Sequence, residues 1–267
     1  MAAALRPLSL GELLDRTFQL YRQHFLVFVG IVALPGLVSL ALNLLLNPVR
    51  ASAGAIATLL LLCVIALAQF VIFAISQAAT ITAVSELYLG RSIGIGQAFA
   101  AARGRIVEIC VISLLIGLFT GLGLLLLIVP GILLALRWSV AVPVVVIEGL
   151  PPRAAMERSS DLTAGHRGRA FMIYLVYFAL VLIISAIAQM PLAILLVANR
   201  AATSAAPGWL MVATQISGFL TQSLVGPLVT IAMSLFYYDE RVRKEAFDLD
   251  HLMAHLDSTP DSSPLPA

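Results

Sequence analysis

Arg137 is the residue with the most chemistry to offer. It is the one charge within the apolar run Ile132–Ile147, and Trp138 follows it. An ionised guanidinium inside a bilayer costs about 2.5–3.5 kcal/mol on insertion scales, so such a residue needs a partner or a task. One reading is a cation facing a cavity in a helix bundle, binding an anionic headgroup or solute with Trp138 beside it. The other is a side chain whose stem lies in lipid while its head snorkels to the outer interface. The residue stands about 9 Å along a helix from Pro130–Gly131, a depth that fits both.

A second constellation gathers at the ends of the apolar runs: Glu12, Asp15, Arg16, Arg158, Asp161, Asp239, Arg241, Arg243 and Glu245. It is either a site for a phosphate-bearing partner or anionic lipid, or a lattice of ion pairs locking helix ends together. Acids nearly match bases, which favours the lattice; a dedicated anion site would carry an uncompensated excess of arginine. Glu86, Glu108 and Glu148 fall at span boundaries and read as hydrated end positions rather than proton relays. Gln69, Gln77, Gln189, Gln215 and Gln222 lie deeper. Hydrogen bonding between helices is the usual role of such amides, and a polar path is the alternative.

Other chemistry is not encoded in any recognisable pattern. His251 and His255 have i, i+4 spacing but lack the glutamate of the HExxH zinc motif, so no metal is expected. Cys63 and Cys110 give neither a disulfide framework nor metal-ligand spacing. Gly94 and Gly96 do not extend to a dinucleotide fingerprint, and neither a phosphate-binding loop nor a nucleophile elbow occurs. The chain is expected to be non-enzymatic, without a cofactor and without a nucleic-acid partner.

The elements that must carry these residues are apolar. Of 267 residues 61% are hydrophobic and 11% charged, against roughly a quarter charged in soluble domains. A bilayer core needs about 20 apolar residues per helix. Six runs meet that need, with spans expected near 25–47, 55–85, 106–128, 131–148, 170–198 and 208–238. The expected fold is an all-α bundle of six transmembrane helices, one membrane domain over residues 1–255. Residues 256–267, rich in Ser and Pro, read as a disordered tail. Met1–His24 has no central apolar stretch and is not a signal peptide, so the first span would act as an uncleaved anchor.

Charge orients the bundle. Thirteen of the 16 Arg and Lys residues fall before span 1, between spans 2 and 3, between spans 4 and 5, or after span 6. Only Arg50 and Arg200 fall in the opposite connections. The positive-inside rule then places both termini in the cytoplasm. Interfacial helices are expected on that side before spans 1, 3 and 5. Ser9 and Glu12 form a capping box, and Leu10, Leu13, Leu14, Phe18, Tyr21 and Phe25 recur at helical spacing. Pro151–Pro152 opens a second such helix, which stops near Gly165. The pairing of a polar helix with a Pro-interrupted span recurs at Pro35, Pro130 and Pro191, a weak internal repeat of the kind that frames binding sites in transporters. Gly117 and Gly121 form a GxxxG, whose physical reading is close helix packing.

Three strings carry a family resemblance: SLGELLDRTFQLYRQHF from Ser9, VPGILLALRWSVAVPVVVIEGLPPRAAMERSSDLTAGHRGRAF from Val129, and YYDERVRKEAFDL from Tyr237. Together they resemble the glycerophosphoryl diester phosphodiesterase membrane domain and its stand-alone bacterial relatives. The likeness runs in order along nearly the whole chain to about residue 255. It implies a multi-pass protein of the bacterial cytoplasmic membrane. In the proteins that give the family its name, the membrane domain precedes a soluble catalytic barrel. The roughly thirty residues after span 6 hold no such barrel, so phosphodiesterase activity does not carry over. The favoured expectation is a scaffold or accessory protein binding lipid or a protein partner through its cytoplasmic face. The alternative is a small transporter, or a subunit of one, for an anionic or lipid-like solute, using Arg137 and the broken spans.

Overall fold

The computed structural model describes residues 8–52, 54–203 and 207–245. Among them every regular element is helical, in the order α1 Leu10–Gln23, α2 Phe25–Ser52, α3 Ala55–Tyr88, α4 Ile95–Ala102, α5 Ile106–Leu126, α6 Ile128–Arg137, α7 Ala141–Glu148, α8 Pro152–Thr163, α9 Arg167–Thr203 and α10 Gly208–Glu245. A single 3-10 turn, Arg103–Arg105, joins α4 to α5. Six helical segments are long and apolar enough to cross a bilayer, the fourth being α6 and α7 together. This is an all-α membrane bundle.

Exposure agrees with lipid as the solvent. Leu45 of α2, Leu125 of α5, and Ile187 and Val197 of α9 are largely uncovered. Contiguous apolar surface on this scale marks a membrane face rather than a water-facing one. The central helix is α10: 56% of its most apolar window is buried, against 6–11% for α2, α3, α5 and α9. Around it pack α1, α2, α3 and α9. The tightest core gathers toward the arginine-rich end, where Leu13, Phe28, Ile109, Leu162, Phe236 and Tyr237 are fully enclosed.

Short helices stand where interfacial ones are expected before spans 1, 3 and 5: the polar α1 and α8, and α4, which is mostly apolar. Ser9 caps α1, its side chain accepting from the Glu12 backbone while Glu12 reaches back to the Ser9 N–H. Rather than lying free in an interface, α1 packs along α10 through Leu13, Thr17 and Leu20. The Tyr21 hydroxyl donates to the Leu224 carbonyl at 2.6 Å, fixing the register.

Pro35, Pro191 and Pro227 do not break their spans. Helix α2 runs through Pro35, α9 through Pro191 and α10 through Pro227. The one broken span parts at Trp138–Val140, one turn before Pro143, whose ring displaces the Ser139 carbonyl from the helical ladder. Membrane helices tolerate proline because neighbours and side chains re-satisfy the freed backbone groups. The internal repeat therefore has no structural counterpart in its prolines.

Two glycine sites explain how the α5–α6 hairpin and the end of α7 fit. A Cβ on Gly131 would lie 2.4 Å from the Leu124 nitrogen, and one on Gly123 would lie 2.9 Å from the Gly131 Cα. This pair, and not Gly117–Gly121, brings two helices into backbone contact. At Gly149, φ of +74° ends α7 in the left-handed conformation that favours glycine. The Arg105 guanidinium fills the space above it, donating to the Val145 carbonyl at 2.8 Å.

Candidate functional site

Charge at the basic end is arranged as a clamp. Asp239 and Glu240, near the end of α10, have side chains with no solvent exposure. Arg169, from the first turn of α9, bridges them at 2.7 and 2.9 Å. Arg243 adds a contact to Asp239 at 2.9 Å, one helical turn along. The His166 Nδ1 sits 2.6 Å from Glu240. Asp239 also accepts from the Leu8 N–H at 2.6 Å, while Arg169 donates to the Leu8 carbonyl at 2.9 Å. Burying a carboxylate is costly unless it is paired and hydrogen-bonded; Asp239 meets Arg169, Arg243 and the Leu8 N–H, and Glu240 meets Arg169 and His166.

A second knot lies beside the first. Glu148, closing α7, meets Arg158 of α8 at 3.3 Å and accepts from the Tyr237 hydroxyl at 2.7 Å. Glu245 binds Arg158 and, at 3.0 Å, Arg241. Burial alone would lower the Arg158 pKa, but hydrogen bonds and charge from Glu245 and Glu148 outweigh it and hold the guanidinium above its ordinary value. Lys244 donates to the backbone carbonyls of Asp161 and Ala164, closing off the end of α8. The two knots together match four carboxylates (Glu148, Asp239, Glu240, Glu245) with four guanidiniums (Arg158, Arg169, Arg241, Arg243).

Of the nine residues read as a lattice, five meet there: Arg158, Asp239, Arg241, Arg243 and Glu245. The other four do not. Glu12 caps α1, Asp15 is exposed, Arg16 bonds Gln19 at 3.3 Å on the same helix, and Asp161 contributes its carbonyl. Sequence reasoning missed Glu148, His166, Arg169, Tyr237 and Glu240. Glu148 reads as a hydrated helix end because its partners lie 10 and 89 residues away. Arg169 and Glu240 are 71 residues apart, with no local spacing to link them.

Arg137 and Trp138 part company at the break in span 4. Arg137 is exposed, and its Nε donates to the Ser160 hydroxyl at 2.7 Å. Its carbonyl, freed by the break, accepts from Ser159 at 3.0 Å and Thr163 at 3.1 Å. Helix α8 thus folds back along α7 and supplies the hydrogen bonds that the interrupted helix lacks. Neither sequence reading of the Arg137 head, toward a cavity or toward the outer interface, describes this contact with the helix that bears Arg153 and Arg158.

Trp138 turns the other way, into a cavity of about 530 Å³ bounded by α3, α5, the broken span, α9 and α10. Another cavity, of about 610 Å³, lies between α2, α3 and α10. Gln69, Gln215 and Gln222 line the latter and Gln77 the former; Gln189 lies against Gly218. Gln69 accepts from Ser39 of α2, the one interhelical bond these glutamines show among the described residues. No charged side chain lines either cavity. Among the described residues no cluster of His, Cys, Asp and Glu is arranged to hold a metal, while His251, His255 and the tail from residue 256 lie outside them.

No family model, no curated protein and no solved structure matches this chain.

Proposed function

We propose that the chain is a non-enzymatic scaffold or accessory protein of the bacterial cytoplasmic membrane, with both termini in the cytoplasm, presenting a rigid cytoplasmic face to lipid or to a protein partner. The observation that carries this reading is the charge-balanced clamp. Its four carboxylates are spent on four guanidiniums, so none is free as a general base or nucleophile, and no excess cation is gathered into an anion pocket. What the clamp supplies is a fixed arrangement of α1, α7, α8, α9 and α10 at one end of the bundle. Arg153 and Glu157 on α8 and Phe18 on α1 remain exposed around it. The likeness of the same segments to the glycerophosphoryl diester phosphodiesterase membrane domain supports a role as a membrane module rather than a catalyst.

The transport reading needs Arg137 at a solute path, and Arg137 lines neither cavity. Photo-crosslinking side chains placed at Arg153 and Phe18 in intact membranes test the scaffold. A single reproducible lipid or protein adduct at both positions is the expected result. Labelling no higher than at a lipid-facing control such as Leu125 overturns it.

A further inference from the structure

Glu108 is a half-buried carboxylate without a partner. Every other buried or half-buried acid among the described residues has one: Glu12 accepts from the Ser9 N–H, Glu86 faces Arg91, and Glu148, Asp239, Glu240 and Glu245 are held in the two knots. Glu108 makes neither a hydrogen bond nor an ion pair among the described residues, although Arg105 stands one turn before it. Arg105 is turned away. Its guanidinium donates to the Val145 carbonyl at 2.8 Å and lies over Gly149, in the space that any side chain there would take. Both charged side chains are half-buried, and both line a pocket of about 330 Å³ with Gly149, Leu150 and Pro151 in its wall.

The pocket therefore offers one fixed cation and one anion that do not neutralise each other. A simple ion does not satisfy this pair: a cation at Glu108 meets the charge of Arg105, and an anion at Arg105 meets that of Glu108. A zwitterion satisfies both, its anionic group taking the free guanidinium N–H donors and its cationic group the carboxylate. The type of cation is also defined. A primary ammonium donates hydrogen bonds to a carboxylate, whereas a quaternary ammonium has none to give and is recognised by aromatic faces. Among the described residues no aromatic side chain is in the wall.

Position supplies the source of the ligand. Glu108 is in the first turn of α5, at the basic end of span 3. Val107 and Val111 flank it, and with Leu114 and Leu118 they form an exposed apolar stripe at helical spacing. From Val107 to Leu118 the stripe runs about 16 Å, roughly half of a hydrocarbon core of about 30 Å and so the reach of one leaflet. The pocket lies near the lower end of the usual range of about 300–1,000 Å³ for small-molecule sites, which suits a headgroup and leaves the acyl chains to the stripe.

We propose that this pocket binds the headgroup of one zwitterionic phospholipid bearing a primary ammonium, of the phosphatidylethanolamine class. Its phosphate meets Arg105, its ammonium meets Glu108, and a chain follows the α5 stripe. This deepens the lipid arm of the reading above and rests on its placement of this end at the headgroups, but the two are tested separately. Selective lipid retention here with no crosslinks at Arg153 and Phe18 strikes the scaffold reading alone; crosslinks there with no selectivity here strike this site alone.

The full chain in mild detergent is titrated with dioleoyl phosphatidylethanolamine or dioleoyl phosphatidylcholine, and bound lipid is counted by native mass spectrometry. One phosphatidylethanolamine should bind saturably, about tenfold or more tighter than phosphatidylcholine, since only the former gives Glu108 a charged hydrogen bond. An equal amount of phosphatidylglycerol, or of soluble glycerophosphoethanolamine, should not displace it. Glu108→Gln should bring phosphatidylethanolamine down to the level of phosphatidylcholine. That variant should leave phosphatidylcholine binding and the melting temperature unchanged, because the side chain has no partner to lose. Glu86→Gln, which removes a carboxylate already facing Arg91, should keep the parent's preference. Equal binding of the two zwitterionic lipids, a preference that survives Glu108→Gln, or displacement by phosphatidylglycerol or by the soluble headgroup overturns the proposal.

Discussion

Arg169 is the residue on which the basic end turns. It neutralises two fully enclosed carboxylates, and the side chain itself is only 20% exposed. Removing one partner of a buried ion pair typically costs about 3–5 kcal/mol, because the remaining charge cannot be rehydrated. Arg169→Ala is expected to lower stability by an amount of that order, read as a fall in thermal midpoint in mild detergent. Arg153→Ala, which removes an exposed i, i+4 pair with Glu157, should change it by less than about 0.5 kcal/mol. Both arginines look alike in the sequence: each sits in the same basic stretch between spans. What separates them is the distant α10, and nothing in the local spacing of Arg169 announces Asp239 or Glu240.

At the level of the element, the broken span and its strap make the sharper case. Ser159 and Thr163 lie one turn apart on α8 and both donate to the carbonyl of Arg137. Replacing both, by Ala and Val, leaves that carbonyl unpaired in a partly buried place. The expected loss is about 1–3 kcal/mol, measurable by chemical unfolding, with the break as the first site to gain hydrogen-exchange lability. The glycines give a second contrast. Gly131→Ala forces a Cβ onto the Leu124 backbone and should destabilise the α5–α6 hairpin by about 1–3 kcal/mol. Gly117→Ala should leave the thermal midpoint unchanged or raised, since it adds helix propensity and meets no neighbour. The helices themselves were legible. The Ser9–Glu12 box begins α1 and Pro152 opens α8, where the residue types require. Less legible was the role of particular breakers. Proline predicts a break only if nothing nearby repairs it, and Pro35, Pro191 and Pro227 are all carried inside continuous helices. The real interruption at Trp138–Val140 lies one turn before Pro143, whose ring displaces the Ser139 carbonyl from the helical ladder, and α8 supplies the hydrogen bonds that the break frees, a tertiary fact.

For the molecule as a whole, hydropathy and charge gave the bundle because the bilayer imposes one rule on every segment: long apolar stretches must be helical. The cavities were not legible, since a glycine or serine facing open space and one facing a packed helix read identically in a string of letters. The distribution of arginine makes the orientation testable. Single cysteines replacing Arg103 and Glu157, introduced into a chain lacking Cys63 and Cys110, should react with a membrane-impermeant thiol reagent only after the cytoplasmic side is opened. Labelling of intact cells would place the basic end outside. The bond between the Leu8 amide and Asp239 joins positions 231 residues apart. During translation the opening segment therefore emerges long before its counterpart has been made. Hairpins such as α2–α3 and α5–α6 can pack as they are made, but until the final helix leaves the ribosome the opening segment lacks the partner that closes the basic end over it.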